Sequence, residues 1–214
     1  MSSRPAPAPI KTKPVELHTP RLLLREARLT DAADLFAVMG DAINMRYCSS
    51  KAHEKVADTA AWLAEAMIAT PFNGRTDFVI VLAVPPPASA SEPQSEPKSE
   101  PKSKSKPATR STTRATVVGK IGCWNGQELG VQLHRAHWGR GYASEALAAL
   151  LAHMWATTDV RAITADVDPR NSGSLRLLRR FGFAVEREEK NTMETHIGWC
   201  DSVYLRLARP AAGG

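Results

Sequence analysis

Apolar positions recur along the chain with two different periods. The run Arg21-Leu22-Leu23-Leu24-Arg25 is short, aliphatic and bounded by charge, which predicts a strand. Thr30 and Asp31 then open a helix running to about Met39, with Thr30 as its N-cap. From His53 to Ala69, apolar residues at Val56, Ala60, Leu63 and Met67 keep three- and four-residue spacing, so a second helix is expected. Two aliphatic runs follow, Phe78 to Val84 and Val117 to Trp124, and both read as strands. Glu128 to His134 is another strand. Gly141 to about Thr157 is a helix whose apolar stripe is Ala146, Leu147, Leu150, Leu151 and Met154. The remainder reads as a strand from Arg161 to Val167, a helix from Asn171 to Arg180, a strand from Phe183 to Arg187, and a last strand from Val203 to Leu207. The segment 187–200 reads as a loop. Strands and helices mix, with an antiparallel beginning and one β-α-β unit over 128–167, so the class is α+β.

One stretch breaks this patterning. Residues 85–116 are built from Pro, Ser, Glu and Lys, with no aromatic residue and almost no aliphatic one. Such a segment cannot bury enough apolar surface to offset chain entropy, and disorder is expected. It separates two strand-like runs, which suggests an insertion in one hairpin rather than a linker between domains. Long loops add little closure entropy. The expected organisation is a flexible tail over 1–16, one domain over 17–208 interrupted at 85–116, and a short tail over 209–214.

Composition narrows the classes. With 214 residues, 43% hydrophobic and 23% charged, the chain suits one soluble domain. No apolar run approaches the roughly 18 residues of a membrane span, and the Pro/Ala-rich start lacks the core of a secretory signal. The net charge of +6 invites a nucleic-acid reading, but residues 1–19 carry +2 of it and 85–116 carry +3, leaving +1 for the folded part. Cys48, Cys123 and Cys200 are an odd, widely spaced set. They suggest neither a disulfide framework nor a zinc site, and point to a reducing compartment, most simply the cytoplasm.

The chemistry concentrates at His137-Trp138-Gly139-Arg140-Gly141-Tyr142-Ala143, between a strand and an amphipathic helix. Glycines allow close approach of the backbone to a ligand. A helix start offers unpaired N–H groups and partial positive charge. Together they suit a phosphate-like anion, with Arg140 able to add a charge-assisted contact. The spacing is neither a P-loop nor GxGxxG. His134 and His137 flank the loop without metal-ligand spacing.

Three segments together resemble the GNAT superfamily, in the branch containing ribosomal-protein N-terminal acetyltransferases. They are Thr19-Pro20-Arg21-Leu22-Leu23-Leu24-Arg25; Leu129 to Leu133 running into Trp138-Gly139-Arg140-Gly141-Tyr142-Ala143-Ser144-Glu145-Ala146; and Asp168 to Ser174 running into Phe181-Gly182-Phe183. Trp138 stands where the wider superfamily often has Gln or Arg, and Trp is usual in this branch. The resemblance implies a mixed, mostly antiparallel sheet, splayed at an acetyl-CoA site and flanked by about four helices. It implies that main-chain groups of Val131, Gln132 and Leu133 hold the pantetheine arm, that amides from Trp138 to Ala143 hold the pyrophosphate, and that Asn171 lies near the thioester. Acetyl-CoA would be the co-substrate, without a metal, and the acceptor a primary amine on a small molecule or a protein N-terminus. A monomer or homodimer is expected.

Direct transfer to an amine needs a base, because an alkyl ammonium titrates near about 10.4. Glu128 and Glu194 compete for that role, and the resemblance favours Glu194, in the segment that would fold over the acceptor. Ser174 is the candidate acid for the leaving sulfur, or else a local helix-capping residue. Trp62, Trp124, Tyr47 and His53 are candidates for the acceptor pocket. Two other classes stay open: a non-catalytic acyl-CoA sensor, and an interaction protein acting through 85–116.

Overall fold

The structure is a computed structural model that describes residues 14–68, 76–83 and 115–211. The expected N-terminal tail up to residue 13, the body of the insertion and the last three residues lie outside the described residues. The chain order is β1 (Glu16–His18), β2 (Leu22–Arg25), a 3-10 turn (Leu29–Asp31) leading into α1 (Ala32–Met39), α2 (Val56–Trp62) continuing as a π-helical segment (Leu63–Ile68), β3 (Phe78–Leu82), β4 (Val117–Trp124), β5 (Glu128–Leu133), a 3-10 turn (Arg135–His137), α3 (Tyr142–Thr157), β6 (Ala162–Val167), α4 (Ser172–Arg180), β7 (Ala184–Thr195) and β8 (Gly198–Ala208).

The strands form one 8-stranded sheet in the order β1-β2-β3-β4-β5-β6-β8-β7. β3 and β4 pair antiparallel, from Phe78↔Ile121 to Val81↔Val117, so the insertion joins two neighbouring strands. Thr116, counted with the insertion by sequence, already accepts a hydrogen bond from Leu82. Among the described strand pairs, only β5 and β6 run parallel, as the β-α-β connection through α3 requires.

Each face of the sheet buries its own helices. The α3 stripe of Ala146, Leu147, Leu150, Leu151 and Met154 packs with Leu175 and Leu178 of α4 against Leu24, Ile80, Ile121, Ile163 and Leu205. On the opposite face, Leu35 of α1 and Leu63 pack on Val79, Val81 and Val117. Leu147 and Leu150 are fully buried, so truncating either to Ala costs about 2–5 kcal/mol.

Four expectations are corrected. Thr30 is not the N-cap of α1: the helix is entered through the 3-10 turn, and the Asp31 carboxylate accepts from the Arg28 amide. The second helix begins at Val56 rather than His53, because Asp58 accepts from the Glu54 and Lys55 amides and fixes the start there. The loop expected over 187–200 is a hairpin, β7 with β8, registered out to Thr195↔Gly198. Arg209, assigned to the C-terminal tail, is tied down: its amide donates to Arg161 and its guanidinium to Thr158 and Val160.

Candidate active site

β5 and β6 touch at one rung, Glu128↔Thr164, and diverge beyond it. The amide of His134 donates to Val118 on β4. By the two-residue alternation of an antiparallel ladder, the main-chain groups of Val131 and Leu133 therefore point the other way, into the gap toward β6. The Leu133 carbonyl accepts from the Trp138 indole at 2.6 Å, which pins Trp138 to the end of β5. The Val131 N–H and C=O and the Leu133 N–H remain open along the edge.

The loop that follows tightens before it opens. The His137 amide donates to the His134 carbonyl and the Trp138 amide to that of Arg135, so both are engaged within the 3-10 turn. The open row of amides begins at Gly139 and runs through Ser144, none of which has a main-chain partner. Gly139 at φ 72° and Gly141 at φ 80° turn the chain into α3, with Gly141 as N-cap. A Cβ at Gly139 would meet nothing within 4 Å, so the left-handed backbone, not crowding, calls for glycine there. The open amides, the glycine turn and the dipole of α3 fit a diphosphate. Burial pushes the His137 imidazole below its usual range, and neighbouring His134 and Arg140 add to this. Its buried Nδ1 has no hydrogen-bond partner among the described residues. Arg140 is exposed.

Sequence reasoning assigned no role to the two residues that hold this loop. Glu145, in the first turn of α3, accepts from the Thr19 hydroxyl (2.6 Å), the Arg21 amide (2.8 Å) and Arg21 Nε (2.6 Å). Arg21 Nη1 donates to the Arg140 carbonyl at 2.9 Å, and the guanidinium lies 4.7 Å from the centre of the Tyr142 ring. Burial alone would raise the Glu145 carboxyl, but the hydrogen bonds from Thr19 and Arg21 outweigh it and hold it below the usual carboxylate range. Both residues stand in the segments that carry the family resemblance, and that was the available signal.

The face of β5 turned away from α3 is polar. Gln132 donates to Cys48 Sγ (3.0 Å) and Met45 Sδ (3.3 Å), while its Oε1 is buried without a partner among the described residues. Opposite it on β4, Lys120 sits 4.9 Å from the Trp62 ring. Burial pushes this amine down, against the pull of Asp77 and Cys48. Glu128 stands at the vertex of the gap. Burial raises its carboxyl and the neighbouring Asp166 charge adds to this, with an Asn125 hydrogen bond opposing. His53 hydrogen-bonds Thr59 (2.8 Å) and tilts against Trp62, and Tyr47 lies near Arg46 and Arg170. The Trp124 side chain lies outside the described residues.

Glu194 lies on the β7–β8 hairpin. It pairs with Trp199 next to the turn of the β7–β8 hairpin and is exposed. Asn171 Oδ1 caps α4 by accepting from the Ser174 amide at 3.1 Å. The cap is thus the Asn171 side chain, and the Ser174 hydroxyl has no hydrogen bond among the described residues. Ahead of them, Arg170 holds Asp168 through both carboxylate oxygens. No cluster of three or more potential metal ligands occurs among the described residues, and no described helix is long and apolar enough to cross a membrane.

A mixed sheet opened between two parallel strands, with unpaired amides at the head of the connecting helix, is a frame for an anionic ligand laid along a strand edge. Residues 21–184 match the acetyltransferase (GNAT) domain, and the chain belongs to that family. It is 40% identical over 59 residues to the uncharacterized N-acetyltransferase p20 of Bacillus licheniformis, a match covering 28% of this chain and 33% of that relative. The chain thus spans about a third of the length of that curated relative. A GNAT-family acetyltransferase structure from Bacillus anthracis superposes with a TM-score of 0.67 at 20% identity, over 91% of this chain and 99% of that one. Spermidine N-acetyltransferase from Vibrio cholerae, solved with CoA and spermine, gives 0.64 at 15% identity, over 88% and 95%.

Proposed function

We propose that this protein transfers an acetyl group from acetyl-CoA directly to a primary amine. The observation that carries the reading is the gap between β5 and β6 opening beside the unpaired amides of Gly139 to Ser144. In this reading those amides bind the diphosphate, the free edge of Val131 and Leu133 aligns the pantetheine arm, and the bound thioester supplies the acetyl group. Glu128 takes the proton from the incoming ammonium, through a water, and Ser174 returns a proton to the leaving sulfur.

Glu128 is preferred to Glu194 because it stands at the vertex of the gap, whereas Glu194 lies at the hairpin end. Its raised carboxyl brings it closer to the pKa of a useful base. Asp166 beside it adds negative potential suited to a cationic acceptor, and the Vibrio cholerae relative is a spermidine acetyltransferase solved with spermine. The acceptor is thus a small polycationic amine or a protein N-terminus, the latter being the chemistry of the ribosomal-protein branch that the Trp138 loop and the Thr19-Pro20-Arg21 opening resemble. The three free thiols accord with a reducing, cytoplasmic setting.

The test is thiol release from acetyl-CoA across polyamines, amino acids and peptides, with the product mass measured. Glu128→Gln lowers kcat by about 10²-fold or more. Glu128 acts deprotonated and its carboxyl is raised, so activity falls as pH drops through a limb above the usual glutamate range. The variant loses that limb. Ser174→Ala lowers kcat by about tenfold, at the weak end for an acid. Binding of CoA without turnover of any amine would leave the protein a sensor and sink the transferase reading.

A further inference from the structure

We propose that Arg21 and Glu145 form a positioning clamp that aims the Gly141 amide at the diphosphate, linking the first long strand of the sheet to the coenzyme loop. The inference rests on the reading of that loop as a diphosphate site.

The argument starts from one peptide plane. The Arg140–Gly141 bond is trans, so the Arg140 C=O and the Gly141 N–H point in opposite directions. Arg21 Nη1 holds that carbonyl at 2.9 Å from the β2 side. The Gly141 N–H therefore faces away from β2, toward the open mouth of the loop. Without the guanidinium nothing among the described residues fixes this plane. One of the two torsions about this plane belongs to Gly141, at φ 80°, which without a Cβ has more than one accessible setting.

Arg21 is fixed in turn by Glu145. The carboxylate takes the Arg21 amide on one oxygen and Nε on the other, and the Thr19 hydroxyl shares the first. The guanidinium is thereby seated against Gly141: its Nη2 lies 3.3 Å from where a Cβ on that glycine would stand. The pair also solves an electrostatic problem. A carboxylate in the first turn of α3 competes with a bound anion for the positive end of the helix. Arg21 neutralises it in place, so the amides present their field to the ligand rather than to Glu145.

The test compares ligands with and without the diphosphate. Calorimetry with CoA on the full chain gives the wild-type affinity, and turnover of S-acetylpantetheine reports on chemistry that bypasses the loop. Arg21→Ala is expected to weaken CoA about tenfold, the loss of one charge-assisted hydrogen bond, while kcat with S-acetylpantetheine stays within about twofold. Arg21→Lys is expected not to restore affinity, because a single ammonium cannot bridge Glu145 and the Arg140 carbonyl in this fork geometry. Arg21→Ala binding CoA as the wild type does would overturn the clamp and leave the diphosphate reading standing. Wild-type protein that fails to bind CoA would overturn both. A parallel loss with S-acetylpantetheine would reduce Arg21 to a folding role. If Arg21→Ala does not fold, Arg21→Lys and Glu145→Gln carry the same comparison, and wild-type CoA affinity in both refutes the clamp.

Discussion

Strand β2 is bracketed by two arginines, each bound to a carboxylate, and the two pairs do opposite work. Arg25 is 9% exposed and meets Asp31, 3% exposed, through two bonds of 2.8 Å. Asp31 also accepts from the Arg28 amide, so the pair closes the corner between β2 and α1. Its partners are six residues apart. Arg21 has a half-exposed side chain and reaches Glu145, 124 residues on, beside the glycine loop proposed to hold the diphosphate. The same chemistry, buried and local, fixes a fold. Placed at the surface and closed over a long stretch of chain, it holds a site ready.

The largest effect that would separate the two is on stability. Arg25→Met leaves Asp31 as an uncompensated buried charge and is expected to cost about 3–5 kcal/mol, read by thermal or urea unfolding. CoA affinity of the folded protein should not change. Arg21→Ala, by contrast, should cost below about 1 kcal/mol, as an exposed pair does, with its loss appearing in CoA affinity. If both variants lose stability equally, the contrast fails. The smallest effect is on acid sensitivity. The Glu145 carboxyl is depressed in the folded state, so its contribution is present above the unfolded glutamate pKa and is lost as pH falls through the lower folded value. Glu145→Gln should flatten that part of the curve, measured as Tm between pH 3 and pH 6.

The parts that were legible in the sequence are those whose side chains alternate between core and solvent. Leu147, Leu150 and Met154 announce α3, and the aliphatic run from Phe78 announces β3 across a long insertion. β7 was read only as far as Arg187 because its continuation, Glu188 to Thr195, stands almost wholly exposed; no buried face imposes a period of two. The start of α1 was misjudged because its carboxylate has a second partner. Asp31 is bound by Arg25, a contact that local propensity does not contain. The site was half legible. The glycine turn and Glu128 could be named from local pattern, and the resemblance favoured Glu194; the pairing of Glu128 with Thr164 at the edge of the gap is a contact between strands that local pattern does not contain. The Arg21–Glu145 pair depends on a contact across most of the chain, which no window of sequence displays.

That separation has a consequence for how the molecule assembles. α3 carries its apolar stripe within its own 16 residues, so its helical pattern is set locally. Its loop is oriented only after β2 has joined the sheet and brought Arg21 beside Arg140. Contacts of such sequence separation form late, because chain closure precedes any gain from them. Coenzyme affinity is therefore a gauge of complete folding. Coenzyme present during refolding favours the finished molecule over partly assembled ones by mass action.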